Sequence, residues 1–328
     1  IVCSIWRRLH MGKHVNQMGI NLNRSAFLCP GQASQKVGMC KDIYELNDFA
    51  KECLDSANDI LGYDLKKIMF EGPEELLKQT IYTQPAMFTA SFITGKLLIN
   101  NGLSPSCAAG HSLGEFSAFS IADAFSFENG LRLVQIRAEA MFEAGKNQPG
   151  SMVAIIGLSE SKIDEICSDY SKGIVCVANY NSASQVAVSG EINAIKDISP
   201  KFIAAGALKV IPLNVSGAFH SPLMKNAKPK LDEHLSTMNI SDSAFPIYSN
   251  FTSKPVTDKL EIHHALLNQI ENPVLWHRSV SRMINDGIKA AIEIGPGKVL
   301  QGLSKRIDRS LIMYGAESYE DILNLTNV

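Results

Sequence analysis

The 328-residue sequence has no C-x-x-C pair, no H-E-x-x-H and no histidines set against cysteines at zinc spacing, so no motif for a metal is present. Its seven cysteines (3, 29, 40, 53, 107, 167 and 176) are odd in number, and several sit in apolar runs. They read as reduced thiols in a reducing compartment, not as a disulfide framework. No apolar run is long enough to span a bilayer. No strong excess of charge appears either: the formal net charge of −2 argues against nucleic acid or an anionic membrane as the main partner. Internal repeats and low-complexity segments are lacking. The first acidic residue is Asp42, whereas Arg7, Arg8, Lys13 and Arg24 precede it and no initiator methionine is present. Residues 1–24 are therefore set apart as a disordered tail or a non-native extension, with an organelle transit peptide as the other reading. What remains, 45 % hydrophobic and 20 % charged, is the composition of a globular chain with core enough for one large domain or two.

The stretch that carries chemistry is Gly110-His111-Ser112-Leu113-Gly114-Glu115. It follows the short apolar run Cys107-Ala108-Ala109 and opens a helix-compatible run at 113–122. A serine between two glycines at a strand-to-helix junction reads as a nucleophile elbow. The turn is so tight that side chains at the flanking positions would clash, and the helix N-terminus offers N–H groups to a developing oxyanion.

Around it the pattern is α/β. Residues 25–29 form an apolar strand ending in Pro30-Gly31-Gln32, a loop of the kind that carries site residues at the carboxyl end of a parallel strand. Helices are expected at 44–61, 74–79 and from Pro85 to Asn100, with Pro85 in the first turn and Gln84 at the helix mouth. A further helix spans 127–144. From 151 to 213 the order reads β-α-β-β-α-β, a ferredoxin-like unit entered through Gln148-Pro149-Gly150. Longer α/β units resume, with helices at 225–238, 259–271 and 299–306 and strands at 245–249 and 290–294. The expected architecture is an α/β-hydrolase-like large domain with a parallel sheet and nucleophile elbow (25–146 and 215–317), an inserted ferredoxin-like small domain (147–214) and a C-terminal segment (318–328).

In the 127–144 helix, Arg137 has Leu133, Val134, Ala140 and Met141 at three and four residues' distance. A guanidinium aimed into apolar surroundings needs an anionic partner. Helix geometry leaves open whether that partner is a core carboxylate or a ligand. A nucleophilic serine also needs a base, usually histidine. His111 reads as ordering the turn, and His234, His263, His264 and His277 read as exposed. His220 ends the small-residue loop 215–219 directly after a strand, as catalytic bases often do. Asp164 and Asp197 fall in the inserted unit, so an orienting carbonyl or amide is favoured over a carboxylate.

These residues resemble the malonyl-CoA:acyl carrier protein transacylase family of type II fatty acid synthesis and the related acyltransferase domains of polyketide synthases. The resemblance runs over 25–314. It rests on Pro30-Gly31-Gln32-x-Ser34-Gln35, Thr83-Gln84-Pro85-Ala86, the serine motif at 110–115, Arg137, Gly150-x-Met152-x-Ala154, Asn179-x-Asn181, Gly217-Ala218-Phe219-His220, Asn272-Pro273-Val274 and Glu293-Ile294-Gly295-Pro296-Gly297. It implies Ser112 as nucleophile, His220 as general base, the N–H groups of Gln32 and Leu113 as oxyanion hole and Arg137 as the clamp on a malonyl carboxylate. Gln84 would line the acyl pocket and the Gln269 carbonyl would orient the histidine.

The implied activity is malonyl transfer from malonyl-CoA to the phosphopantetheine thiol of acyl carrier protein. No cofactor or metal is implied beyond the thioester substrate. A cytoplasmic bacterial monomer is expected, with a mitochondrial or plastid location as the alternative. Leucine after the serine and Gly-Ala-Phe-His resemble malonyl-selective members. Ala33 and Asp123 stand where the family has glycine, and Cys29 where it has phenylalanine. Competing readings are a serine hydrolase or thioesterase, a unit of a polyketide-type synthase, and an inactive scaffold.

Overall fold

All five residues of the first strand, Ser25–Cys29 (β1), are buried, because both faces of its sheet are covered. Phe27 and Cys29 point into the main core, whereas Ala26 and Leu28 join a second cluster on the opposite face. The computed structural model describes residues 24–326, so the expectation for the tail falls, apart from Arg24, outside the described residues. The remaining strands are Cys107–Gly110 (β2), Gly150–Ile156 (β3), Val175–Ser182 (β4), Gln185–Glu191 (β5), Lys209–Pro212 (β6), Ile247–Tyr248 (β7), Pro255–Val256 (β8), Ala290–Ile294 (β9) and Ile312–Ala316 (β10).

Six strands form a mixed sheet in the order β10-β9-β1-β2-β7-β8, parallel except for the terminal β7–β8 pair. A four-stranded sheet, β4-β5-β3-β6, is antiparallel throughout. Its helices, Glu160–Ser168 and Ile192–Ala204, enclose a separate core around Ile155, Ile163, Ile198 and Phe202. The fold is thus α/β, and among the described residues no helix is long and apolar enough to cross a membrane.

Several expected elements shift for local reasons. The helix expected at 44–61 is two, Lys41–Leu46 and Asp48–Leu61. Asn47 adopts extended backbone between them, and its side chain accepts from the Ala50 N–H at 3.2 Å as the second helix's cap. The helix expected to begin at Pro85 begins at Thr80 and runs to Asn100, which places Pro85 inside it and Gln84 on a buried turn away from any mouth. Proline there frees the Ile81 carbonyl, and the Tyr63 hydroxyl donates to that carbonyl at 3.4 Å. The helix expected at 225–238 starts as a 3-10 turn, Pro222–Ala227, before Lys228–Thr237. Helices Leu65–Glu71 and Trp276–Asn285 are additions to the pattern read from sequence. So is Tyr319–Thr326, whose Ile322 and Leu325 join the main core.

Candidate active site

The parallel strand β2 ends at Gly110 and the helix Leu113–Ile121 begins three residues later, with Ser112 at φ 51°, ψ −107° as the residue between them. That left-handed backbone is costly for a residue with a Cβ and is held by its surroundings. A Cβ on Gly110 would collide with the backbone of Gly114, and one on Gly114 with the carbonyl of Cys29. The flanking glycines are therefore required by contact. Asn250, just beyond β7, completes the hold. Its Oδ1 accepts from the Ser112 N–H at 2.7 Å, and its Nδ2 donates to the Gly110 carbonyl at 2.6 Å.

His220, at φ 55°, follows β6 and reaches the elbow from the small sheet's side. Its Nε2 lies 2.7 Å from Ser112 Oγ, and its Nδ1 lies 3.0 Å from the Gln269 carbonyl oxygen. A carbonyl only accepts, so the proton resides on Nδ1. Nε2 is left as the acceptor for the serine hydroxyl. Burial first, and then the nearby Arg137 charge, pull the histidine's pKa down to about 3. No carboxylate bonds His220 among the described residues. Asp164 instead accepts from Tyr180, and Asp197 pairs with Lys172.

Arg137, on the helix Phe127–Asn147, is 1 % exposed. Its Nη1 donates to Gln84 Oε1 at 2.6 Å, and its Nη2 donates to both Ser112 Oγ at 3.0 Å and Gln269 Oε1 at 2.9 Å. The Phe116 ring lies 5.0 Å from the guanidinium carbon. All of these acceptors are neutral, and Nε has no partner among the described residues. Burial lowers the guanidinium's pKa to about 9 against the opposing effect of Glu115, so it stays cationic at neutral pH. The apolar spacing that made Arg137 conspicuous in the sequence thus leads to a buried cation beside a serine hydroxyl with no carboxylate in contact. Such a cation suits an anionic ligand group.

Gln32 lies in the loop after β1, which packs onto the elbow so closely that a Cβ on Gly31 would strike the His111 carbonyl. The Gln32 and Leu113 N–H groups donate to no protein acceptor among the described residues. His111 does brace the turn, pairing through Nε2 with Asn181 Oδ1 at 2.8 Å and lying against the Trp276 ring at 5.5 Å. The expectation of four exposed histidines needs correction. His264 is exposed, but His277 pairs with Glu160 at 2.6 Å, His263 lies 3.6 Å from Asp232, and His234 is half-buried. Each occupies a helix face that packs on a neighbouring element, which helical context alone did not show. Sequence reasoning assigned no role to Asn250 or Glu115. The position of Asn250 at the carboxyl end of a strand was the available signal. Among the described residues no three His, Cys, Asp or Glu are grouped to hold a metal ion.

Part of the segment 276–310 packs beside the hairpin that carries Asn181, where the acids Asp164 and Glu160 also lie. Residues 276–310 contain seven Lys and Arg against three Asp and Glu, and none of the seven forms a carboxylate ion pair among the described residues. Arg278 lies over the Tyr180 ring at 5.0 Å, and Arg306 donates to Gln185, which ties this segment to the β4–β5 hairpin.

The acyl transferase domain family matches residues 26–318. A malonyl CoA-acyl carrier protein transacylase of Staphylococcus aureus (strain MRSA252) is 38 % identical over 303 residues, covering 92 % of this chain and 98 % of the relative. An acyl carrier protein S-malonyltransferase structure from Vibrio cholerae superposes with a TM-score of 0.88 at 36 % identity, over 91 % of this chain and 98 % of that one. A malonyl transacylase solved in complex with a type II polyketide synthase acyl carrier protein gives 0.88 at 37 % identity, over 92 % of this chain and 99 % of its own.

Proposed function

Because the chain belongs to the acyl transferase domain family, we propose that this acyltransferase moves a malonyl group from malonyl-CoA to the phosphopantetheine thiol of an acyl carrier protein through a malonyl-serine intermediate. The observation that carries the reading is the buried Arg137, 3.0 Å from Ser112 Oγ and bonded only to neutral oxygens. A hydrolase of neutral esters has no use for such a cation. An enzyme whose acyl group ends in a carboxylate does, because a bidentate pair fixes the acyl chain and leaves an acetyl group with a buried charge unanswered.

In the first step His220 Nε2 takes the Ser112 proton as Oγ bonds to the thioester carbonyl carbon. The carbonyl oxygen becomes an oxyanion on the N–H groups of Gln32 and Leu113, a contact worth about 3 kcal/mol per donor. Collapse breaks the C–S bond, and the imidazolium returns its proton to the departing coenzyme A thiolate. In the second step the carrier's thiol gives its proton to His220, its sulfur attacks the malonyl ester, and Ser112 leaves as the reprotonated hydroxyl. Gln84 lines the acyl pocket and positions Arg137, and the Gln269 carbonyl keeps His220 in the required tautomer. A malonyl carboxylate on Arg137 also offsets the cation that depresses His220, so the base strengthens when the matching substrate is bound.

We also read the large sheet as α/β-hydrolase-like, formed from 25–146 and 215–317, with 147–214 as an inserted ferredoxin-like domain. The confinement of β3 to β6 to one antiparallel sheet in the order β4-β5-β3-β6 supports that division. The exposed Arg278 and Arg306, beside the hairpin that carries Asn181, support an acidic macromolecular partner there. Intact mass spectrometry after brief incubation with malonyl-CoA tests the whole reading. A malonyl adduct is expected on the wild type, absent from Ser112→Ala, and discharged faster by carrier protein than by water. Discharge by water with no preference for the carrier would make the protein a hydrolase.

A further inference from the structure

The Gln269 side chain touches both the elbow and Arg137. Its amide is asymmetric in chemistry but nearly symmetric in shape, so its orientation is set by its partners. On one side stands Arg137, a donor only, with Nη2 2.9 Å from Gln269 Oε1. On the other stand two acceptors, the Ser112 carbonyl at 2.8 Å and Glu115 Oε2 at 2.6 Å, both reached by Gln269 Nε2. Glu115 is fully buried, and its other oxygen accepts from the Asn250 N–H at 3.0 Å. A flipped amide would set an NH2 group against the guanidinium and a carbonyl against two oxygens.

We propose that Glu115 is a positioning residue for acyl selectivity: it holds the Gln269 amide with its oxygen toward Arg137 and answers the buried guanidinium at one remove. The inference rests on the malonyl-transfer reading above. A carboxylate in direct contact with Arg137 would neutralise it and occupy the donors a malonyl carboxylate needs. With one amide interposed, the guanidinium's contacts remain neutral and exchangeable, while Glu115, whose pKa burial raises to about 7 against the opposing pull of Arg137, answers it from a distance. The arrangement also ties the clamp to the nucleophile, since the same amide NH2 group donates to the Ser112 carbonyl.

Glu115→Gln tests this. Glutamine at 115 has one oxygen for two donors, the Asn250 N–H and the Gln269 NH2, so one of them loses its acceptor. Under the proposal Gln269 is the one displaced, and it turns to face Arg137 with N–H groups. Loading is measured as kcat/KM with malonyl-CoA and with acetyl-CoA, alongside the thermal midpoint. The expected result is a fall of about tenfold or more for malonyl, with acetyl changed by no more than about twofold. An equal fall for both substrates, or a lowered midpoint with selectivity intact, would overturn the proposal in favour of a purely structural acid.

The double variant Glu115→Gln, Gln269→Glu restores a donor–acceptor match between positions 115 and 269 but sets a carboxylate oxygen against the Ser112 carbonyl and places the charge directly on Arg137. Malonyl selectivity should stay lost, and its recovery would overturn the counter-charge argument. Should Glu115→Gln fail to fold, Gln269→Leu, which retains the backbone carbonyl facing His220, should show the same malonyl-specific loss, and an equal loss for both substrates would again overturn the proposal. Wild type that takes up no malonyl group would defeat the functional reading itself, an outcome distinct from any change in the variants.

Discussion

Arg137 Nη2 donates to Ser112 Oγ at 3.0 Å, so the buried cation and the hydroxyl on the elbow are in direct contact. An acyl group carried on Oγ begins within reach of the guanidinium, and a malonyl unit is short enough for its free carboxylate to turn back onto it.

Arg137→Ala is therefore expected to reduce malonyl loading of Ser112 about 10²- to 10³-fold, the worth of one or two charge-assisted hydrogen bonds. Loading from acetyl-CoA should hold or rise, since no buried charge is left unanswered. Parallel mass measurements with the two thioesters read both rates.

The pH dependence follows from His220, whose pKa lies near 3 because of burial and the Arg137 cation. The free enzyme's base stays unprotonated well below neutrality, so His220 by itself leaves single-turnover loading nearly flat from about pH 8 down to about pH 5. A change centred near pH 7 would report Glu115, whose pKa burial raises to about 7. Stability behaves differently. The unfolded histidine takes a proton near pH 6.5 that the folded one refuses, so this group's contribution is complete above about pH 6.5 and is lost progressively as pH falls from there toward 3. The Glu115 carboxyl, raised by burial, adds stability as pH falls from about 7 to about 4.5 and so offsets His220 over that range. Urea midpoints should therefore hold there and decline only below it, while loading still proceeds.

Ala33 and Asp123, the two positions where the family has glycine, both have left-handed backbone, with φ of 86° and 61°. Ala33→Gly should raise stability by up to about 1 kcal/mol, since relief of the strained backbone exceeds the added freedom of the unfolded chain. Asp123→Gly should gain less, because aspartate tolerates this region better and its side chain pairs with Lys96. Denaturant titration of each single variant measures the difference.

Charge reversal at Arg278 and Lys305, both exposed and unpaired with carboxylates, should slow discharge to the carrier protein about threefold to tenfold and flatten its salt dependence. Loading from malonyl-CoA should respond less. Discharge rates at several salt concentrations check this, and an equal effect on both half-reactions would place the carrier elsewhere.

Much of the site was legible before any coordinates. The glycines around Ser112 announce a turn that only a missing Cβ permits, and the contacts of Gly110 and Gly114 bear this out. The apolar neighbours of Arg137 at helical spacing mark a cation without a local partner, which is how it stands. Strand β1 and strand β9 fall on the short apolar runs read as strands, because segments buried on both faces leave a clear signature. Less was visible where a tertiary contact set the outcome. The Asn47 cap divides one helix into two, and the Tyr63 hydroxyl on Ile81 allows Pro85 to stand inside a helix. Both depend on a partner that periodicity does not contain.

From sequence alone came Ser112, His220 and Arg137 as candidates and the order of the elements along the chain, since each is a matter of residue type and local spacing. The network that makes them one site came only with the fold. Gln269 bonds His220 through its carbonyl and Arg137, Ser112 and Glu115 through its amide, across separations of 49, 132, 157 and 154 residues respectively. Hydrogen-bond orientation depends on which groups meet in space, and no local pattern records a meeting of chain segments so far apart. Residue identity supplied the chemistry, and packing chose the tautomer of one histidine and the direction of one amide.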